Sequence, residues 1–236
     1  MDVVEHASRQ NAAPAAPRIR SFVRRQGRLT SGQQRALTDH WSEYGLEYTG
    51  AALDMAQCYG RSAPVTLEIG FGNGETLAAM AAAAPERDFL GIEVHRPGVG
   101  HLLHCIETQG LPNLRVICHD AVDVMRHMIP PHSLDRIQIF FPDPWPKKRH
   151  HKRRLIQSDF VTLLAQCLQP GGLLHLATDW APYGEHMQEI IADFPVFQPL
   201  DAANLQQQCP RPKTKFERRG EQHGHAICEL AYRRGA

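Results

Sequence analysis

No run of about 18 apolar residues occurs in the 236-residue sequence, so no membrane-spanning helix is expected. The first twenty residues also lack the apolar stretch of a secretory signal. Six cysteines, at 58, 105, 118, 167, 209 and 228, include no C-x-x-C pair. That excludes a zinc ribbon and suits free thiols in a reducing cytoplasm. The fourteen histidines do not form ligand sets: His101 and His104, with Cys105, flank an apolar helical stripe, and no second pair has metal spacing. No bound metal is expected. The G-x-G-x-x-G turn of dinucleotide-binding chains is missing as well.

Net charge is nearly absent too, at +1, but its distribution is uneven. Arg18, Arg20, Arg24, Arg25 and Arg28 form one cluster, and Lys147, Lys148, Arg149, Lys152, Arg153 and Arg154 a second. Arg211, Lys213, Lys215, Arg218 and Arg219 form a third. These segments hold 16 of the 26 basic residues and leave an acidic body. An acidic body with three focused basic patches implies a polyanion partner.

Residues 1–17 read as lacking structure and 18–32 as a basic arm with Gly27 and Gly32 as punctuation. The expected division is a flexible arm over 1–32 and one domain over 33–236. Helical character covers 33–41 and 51–58. Beyond Pro64, strands expected at 65–69, 89–94, 114–119, 136–141 and 173–178 alternate with helices at 75–84, 95–109, 121–128 and 157–167. A helix at 185–192 and a strand at 225–232 follow. Such alternation predicts an α/β fold, a Rossmann-like sheet of mostly parallel strands with helices on both faces. Ligands of such sheets bind beyond the strands' carboxyl ends.

Chemistry-bearing residues fall at those ends. Gly70, Gly72 and Gly74 follow Glu68 and allow a sharp turn with close backbone approach to a ligand. Glu93 follows the second strand, where a carboxylate can accept both ribose hydroxyl protons. Asp120 follows the third, placed to accept from an adenine amine. Three acids at successive strand ends suit a cationic cofactor without phosphate, S-adenosylmethionine. For Glu93 and Asp120 taken singly, the plainer role is helix N-cap.

After the fourth strand comes Phe141-Pro142-Asp143-Pro144-Trp145-Pro146, whose three prolines in five residues bar helix and sheet and fix Asp143. Trp145 reads as an anchor in the core. The basic run behind it, Arg149, His150, His151, Lys152, Arg153 and Arg154, is expected to contact phosphates. His150 and His151 are not expected to act in catalysis.

This run resembles the signature of the bacterial tRNA (guanine-N7-)-methyltransferase family. The same pattern is matched by Gly27-Arg28-Leu29-Thr30 with Gln33 and by Glu68-Ile69-Gly70-Phe71-Gly72. It continues in Ala177-Thr178-Asp179-Trp180 and in Arg211-Pro212-Lys213-Thr214-Lys215-Phe216-Glu217. The resemblance spans roughly residues 27–234. It implies a class I methyltransferase fold with a seven-stranded sheet, acting as a cytoplasmic monomer or homodimer. The implied reaction is methyl transfer from S-adenosylmethionine to N7 of guanine 46 in the tRNA variable loop. Glu68, Glu93, Asp120 and Asp143 resemble that family's cofactor-binding acids, with Asp143 also its catalytic residue. Lys147, Asp179 and the stretch Thr214, Lys215, Phe216 and Glu217 resemble its substrate contacts. Two other readings compete: an amino-methyltransferase on adenine, since Asp143-Pro144-Trp145 loosely resembles the D-P-P-aromatic loop, and a non-catalytic RNA-binding protein on the same fold.

Overall fold

Val65–Ile69 is buried along its whole length, and a strand with no solvent-facing side needs helices on both faces. The computed structural model, which describes residues 19–22, 27–222, 224 and 226–236, supplies them. In chain order the elements are α1 (Ser31–Tyr44), α2 (Met55–Tyr59), β1 (Val65–Ile69), α3 (Glu75–Ala83), β2 (Asp88–Ile92), α4 (Arg96–Gln109), β3 (Leu114–Ile117), α5 (Ala121–His127) and β4 (Leu134–Phe140). A 3-10 segment (Lys148–Arg153), α6 (Ser158–Cys167), β5 (Leu168–Thr178), α7 (Ala181–Ala192), β6 (Phe197–Pro199), α8 (Ala202–Gln208), α9 (Lys215–Gln222) and β7 (Cys228–Arg234) follow.

The strands form one seven-stranded sheet in the order β3-β2-β1-β4-β5-β7-β6. The first five are parallel, and β7 runs antiparallel between β5 and β6. Strand order reverses between β1 and β4, which opens the ligand crevice at their carboxyl ends. One face is closed by α5, α6 and α7, where Met125, Leu164 and Tyr183 pack on Leu67, Ile137 and Leu174. On the other face α1, α3 and α4 cover β2 and β3 through Leu77, Leu102 and Leu103 on Phe89 and Leu114. Over β5 and β7 that same face is closed by Leu173, Ala231 and Cys209.

The expected alternation is present, with shifted ends. β2 stops at Ile92, β3 at Ile117, and β5 begins at Leu168, ahead of its expected start at 173. α7 starts at Ala181, four residues early, because Pro182 in its first turn needs no hydrogen-bond acceptor there. β6, α8 and α9 were not expected. α1 is opened by a capping box in which Gln33 N–H donates to Thr30 Oγ1 (3.2 Å) and Thr30 N–H to Gln33 Oε1 (3.0 Å). The boundary expected at 32/33 therefore falls inside its first turn. The readings placed on residues 1–18, on Arg24 and Arg25, on the Lys215 side chain and on His225 lie outside the described residues.

Candidate active site

The glycine turn after β1 is left-handed at all three positions, with φ of +76° at Gly70, +63° at Gly72 and +78° at Gly74. Its shape is held from two sides. Glu93, just past β2, accepts from Gly72 N–H at 3.0 Å through Oε2, and from Val94 N–H (2.7 Å) and His95 N–H (2.9 Å) through Oε1. The carboxylate expected at the ribose thus also knits the turn to the end of β2. From α4, the His101 ring meets the Asn73 carbonyl at 2.8 Å through Nδ1. His101 thus helps to hold the turn in place.

Gly98, in the first turn of α4, has no such side-chain partner, and a Cβ there would lie 1.9 Å from the Gly72 carbonyl oxygen. That backbone contact has no flexible end to give way. Gly98→Ala should therefore displace the turn, cost about 1–3 kcal/mol of stability and weaken nucleoside binding. Calorimetric melting and titration check this; a wild-type melting temperature with unchanged ligand affinity would remove Gly98 from the site.

Two other strand-end acids differ in kind. Asp120 is the N-cap of α5, its Oδ1 accepting from Val122 N–H at 3.0 Å, so the plainer role holds for it. Glu68 caps nothing. It is buried at 3 % exposure, and among the described residues its Oε2 has no hydrogen-bond partner. Burial pushes its carboxyl up to about 8, with Arg211 opposing and Glu93 adding to the rise. A buried, orphaned carboxyl beside a glycine cradle fits a cationic ligand group and would repel a pyrophosphate. Glu68 and Glu93 thus fit a cationic nucleoside cofactor such as S-adenosylmethionine, while Asp120 is accounted for by its cap.

Asp143 lies in the loop after β4, between two non-glycine residues in the left-handed region, Phe141 (φ +52°) and Trp145 (φ +45°). Such backbone persists only where the surroundings over-determine it. Phe141 N–H donates to Ala177 O at 2.8 Å. Arg154 Nε donates to Pro144 O at 3.0 Å, while Nη1 and Nη2 reach Pro182 O (3.4 Å) and His151 Nε2 (3.3 Å). The Arg154 guanidinium also lies 4.9 Å from the Tyr183 ring centroid. Arg154 is only 4 % exposed, which corrects the expectation that it contacts phosphate: it fastens the Asp143 loop from behind.

Trp145 departs from expectation in the opposite direction. It is half-buried, with Arg153 stacked at 4.9 Å and His150 edge-on, and its Nε1 donates to Ser21 O at 3.0 Å. It joins the arm to the loop and is no part of the core clusters. Lys147, Lys148, Arg149 and Lys152 are exposed beside it. Desolvation and the charges of Arg149, Arg153, Lys147 and Lys152 hold His150 below the ordinary imidazole value.

Across the crevice lies α9. Thr214 and Glu217, expected to touch substrate, are both buried and bonded to each other: Glu217 N–H donates to Thr214 Oγ1 (3.0 Å), and Thr214 N–H to Glu217 Oε2 (3.4 Å). This is a capping box, locked further by the Arg211–Glu217 ion pair. The spacing T-x-x-E was the signal that could have revealed it. The box holds α9 so that Phe216, 55 % exposed, faces Phe141 at 6.5 Å between centroids and would touch a Cβ at Gly72. Gly220 backs onto Asp179, past the end of β5. The structure therefore gathers Glu68, the glycines, Glu93, Asp143, Asp179 and Phe216 along the carboxyl edge of β1, β2, β4 and β5.

A family model described as "Putative methyltransferase" matches residues 62–230. A tRNA (guanine-N(7)-)-methyltransferase of Alkalilimnicola ehrlichii is 55% identical, with 96% of this chain and 97% of that one covered. One from Escherichia coli O6:K15:H31 is 52% identical over 99% and 98%. Among solved structures, the 16S rRNA methyltransferase KamB aligns at a TM-score of 0.52 and 14% identity, covering 93% of this chain and 99% of that one, a likeness of fold.

Proposed function

The chain belongs to the tRNA (guanine-N7-)-methyltransferase family, and from that premise we propose that it transfers a methyl group from S-adenosylmethionine to N7 of guanine 46 in the tRNA variable loop, in the cytoplasm. The observation that carries the reading is the meeting of a phosphate-free acidic cradle, Glu68 and Glu93 around the glycine turn, with the rigid Asp143 loop at one sheet edge.

When bound, S-adenosylmethionine supplies an electrophilic methyl to the N7 lone pair. Guanine N7 carries no proton, so the protein needs no general base; its task is placement, where effective molarity is the large term. Glu68 would hold the cofactor's ammonium and Glu93 its ribose. Asp143 and Asp179 accept from the guanine N1 and N2 hydrogens, a pattern adenine does not offer. A carboxylate near the purine also favours the positive charge that N7 alkylation creates. Phe216 and Phe141 offer apolar faces against which a base can stack.

Incubation with unmodified tRNA and labelled S-adenosylmethionine, followed by nucleoside analysis, tests the reading. 7-Methylguanosine is expected, lost when guanine 46 is replaced. N6-methyladenosine would favour the adenine enzyme, and no transfer in a single turnover the RNA-binding protein.

The exposed cations and the buried one should separate cleanly. Neutralising Lys148, Arg149 and Lys152 together should flatten the log–log salt dependence of tRNA binding by about 2, with the fold intact. Arg154→Ala should instead cost about 2–3 kcal/mol of stability through its lost hydrogen bonds. Filter binding at several salt concentrations, beside thermal melts, distinguishes the two; an unchanged slope in the triple variant would place the RNA elsewhere.

A further inference from the structure

On the face that bears Glu68, the apolar cover of α3 and α4 ends at β1 and β2, and the Leu173–Cys209–Ala231 cluster begins only at β5. Between them the strands present polar side chains in register. Glu68 of β1 is paired with Gln138 of β4, and Gln138 with His175 of β5. Gln138 and His175 are 0 % exposed. Among the described residues five buried side-chain polar atoms have no hydrogen-bond partner; four fall along this row, Glu68 Oε2, Gln138 Oε1 and Nε2, and His175 Nδ1, and the fifth is Arg136 Nε, two residues before Gln138 on β4. Beyond His175 the row is complete. His175 Nε2 meets Glu229 Oε1 at 2.7 Å, Arg211 Nε donates to the same carboxylate at 2.8 Å, and Arg211 pairs with Glu217 of the α9 capping box.

Donor and acceptor roles run in one direction along it. A carboxylate only accepts, so His175 must carry its proton on Nε2, which leaves Nδ1 an acceptor in need of a donor. Gln138 Nε2 is a donor in need of an acceptor, and Gln138 Oε1 is an acceptor in need of a donor. A bridging water supplies that donor: it accepts from Glu68 while the carboxyl holds its proton and donates to the carboxylate once it is ionised, donating to Gln138 Oε1 in both states. Each orphan lacks the role its neighbour on the next strand has to spare. Strands lie about 4.8 Å apart, so one ordered water can bridge neighbouring side chains.

We propose that Glu68, Gln138 and His175 form an oriented, water-bridged hydrogen-bond row in which Gln138 and His175 are positioning residues for the cofactor-side carboxyl and tie it to the Arg211 lock on α9. This rests on reading Glu68 as the cofactor's acid. Neither residue touches cofactor or tRNA; both act through Glu68 and Glu229. The row joins the two sides of the crevice, the cofactor cradle and the helix that carries Phe216.

Gln138→Met, close to Gln in length, removes the amide while filling its space. The expected result is a lower melting temperature and an S-adenosylmethionine affinity weakened about fivefold by calorimetry, the measure of one neutral hydrogen bond. His175→Phe should do likewise, and the double variant should be no weaker than the weaker single one, because both cut the same row. Multiplicative effects, or a melting temperature that falls while cofactor affinity stays within twofold, overturn the proposal. So does a higher melting temperature for Gln138→Met, the sign expected if the amide is merely stranded. In the unaltered protein, 15N spectra should show His175 neutral, protonated on Nε2 and hydrogen-bonded at Nδ1; a doubly protonated ring overturns the stated direction. Absence of S-adenosylmethionine binding to the wild type would instead overturn the reading of the site itself.

Discussion

Asp143→Asn should lower the rate of methyl transfer about 100-fold in a single turnover while leaving tRNA affinity within a few-fold and the fold unchanged. The substitution keeps the side chain's shape and removes its charge. The loop is fixed by Pro142, Pro144 and Pro146, by the left-handed Phe141 and Trp145, and by Arg154 behind it, so the amide should occupy the same place. What it loses is the negative charge facing a purine that becomes cationic as N7 is alkylated. A fixed, preorganised charge of this kind is worth about 10²–10³ in rate. Its signature is a loss in kcat and kcat/KM together, since an interaction gained only in the transition state does not alter ground-state binding. Arg154→Ala offers the complementary experiment: with its guanidinium gone from Pro144 and Pro182, the loop loosens and Asp143 is misplaced while chemically intact. A single-turnover rate for Asp143→Asn equal to wild type would show that Asp143 only shapes the loop.

Most of the sheet was legible because its short apolar-rich strands alternate with helical segments: Phe89–Ile92 of β2 is a continuous uncharged run, and Val65–Ile69 keeps Val65, Leu67 and Ile69 on one face while Thr66 and Glu68 are buried on the other. The strand-end acids were legible for the same reason: each is the first charged residue near the end of such a run. What escaped was written in longer-range terms. α9 carries so many Arg, Glu and Gln residues that no apolar stripe marks it, and only the Thr214–Glu217 box signals its start. Arg154 is one of six cations within eight residues, and nothing local says that it alone turns inward onto Tyr183. The polar row could not be read at all, because Glu68, Gln138 and His175 become neighbours only through crossovers that set their register. Gln138 inside Arg136–Phe140 looks, in sequence, like a surface position of a half-exposed strand.

Glu68→Gln should weaken cofactor binding and at the same time stabilise the empty protein, increasingly so as pH rises. Burial, opposed by Arg211 and reinforced by Glu93, raises the Glu68 carboxyl from 4.5 to about 8. Between those two values the folded protein holds a proton that the unfolded chain has released, so stability falls as pH rises through that window and levels off above 8. At pH 7.5 the cost is on the order of 4 kcal/mol, which Gln avoids while keeping an N–H donor for Gln138. Melting curves should therefore coincide near pH 5 and separate by about 5 °C or more at pH 8, with the variant higher. Cofactor binding carries the opposite sign. An ammonium favours ionised Glu68, so S-adenosylmethionine affinity of the wild type should weaken about tenfold per unit as pH is lowered below 8, with a proton released on binding. In the variant that dependence disappears and affinity drops about 10- to 100-fold, the worth of a charge-assisted contact. Titration in two buffers of different ionisation enthalpy measures the proton directly: equal binding enthalpies at pH 7 in both would mean that Glu68 does not change its charge when the site fills.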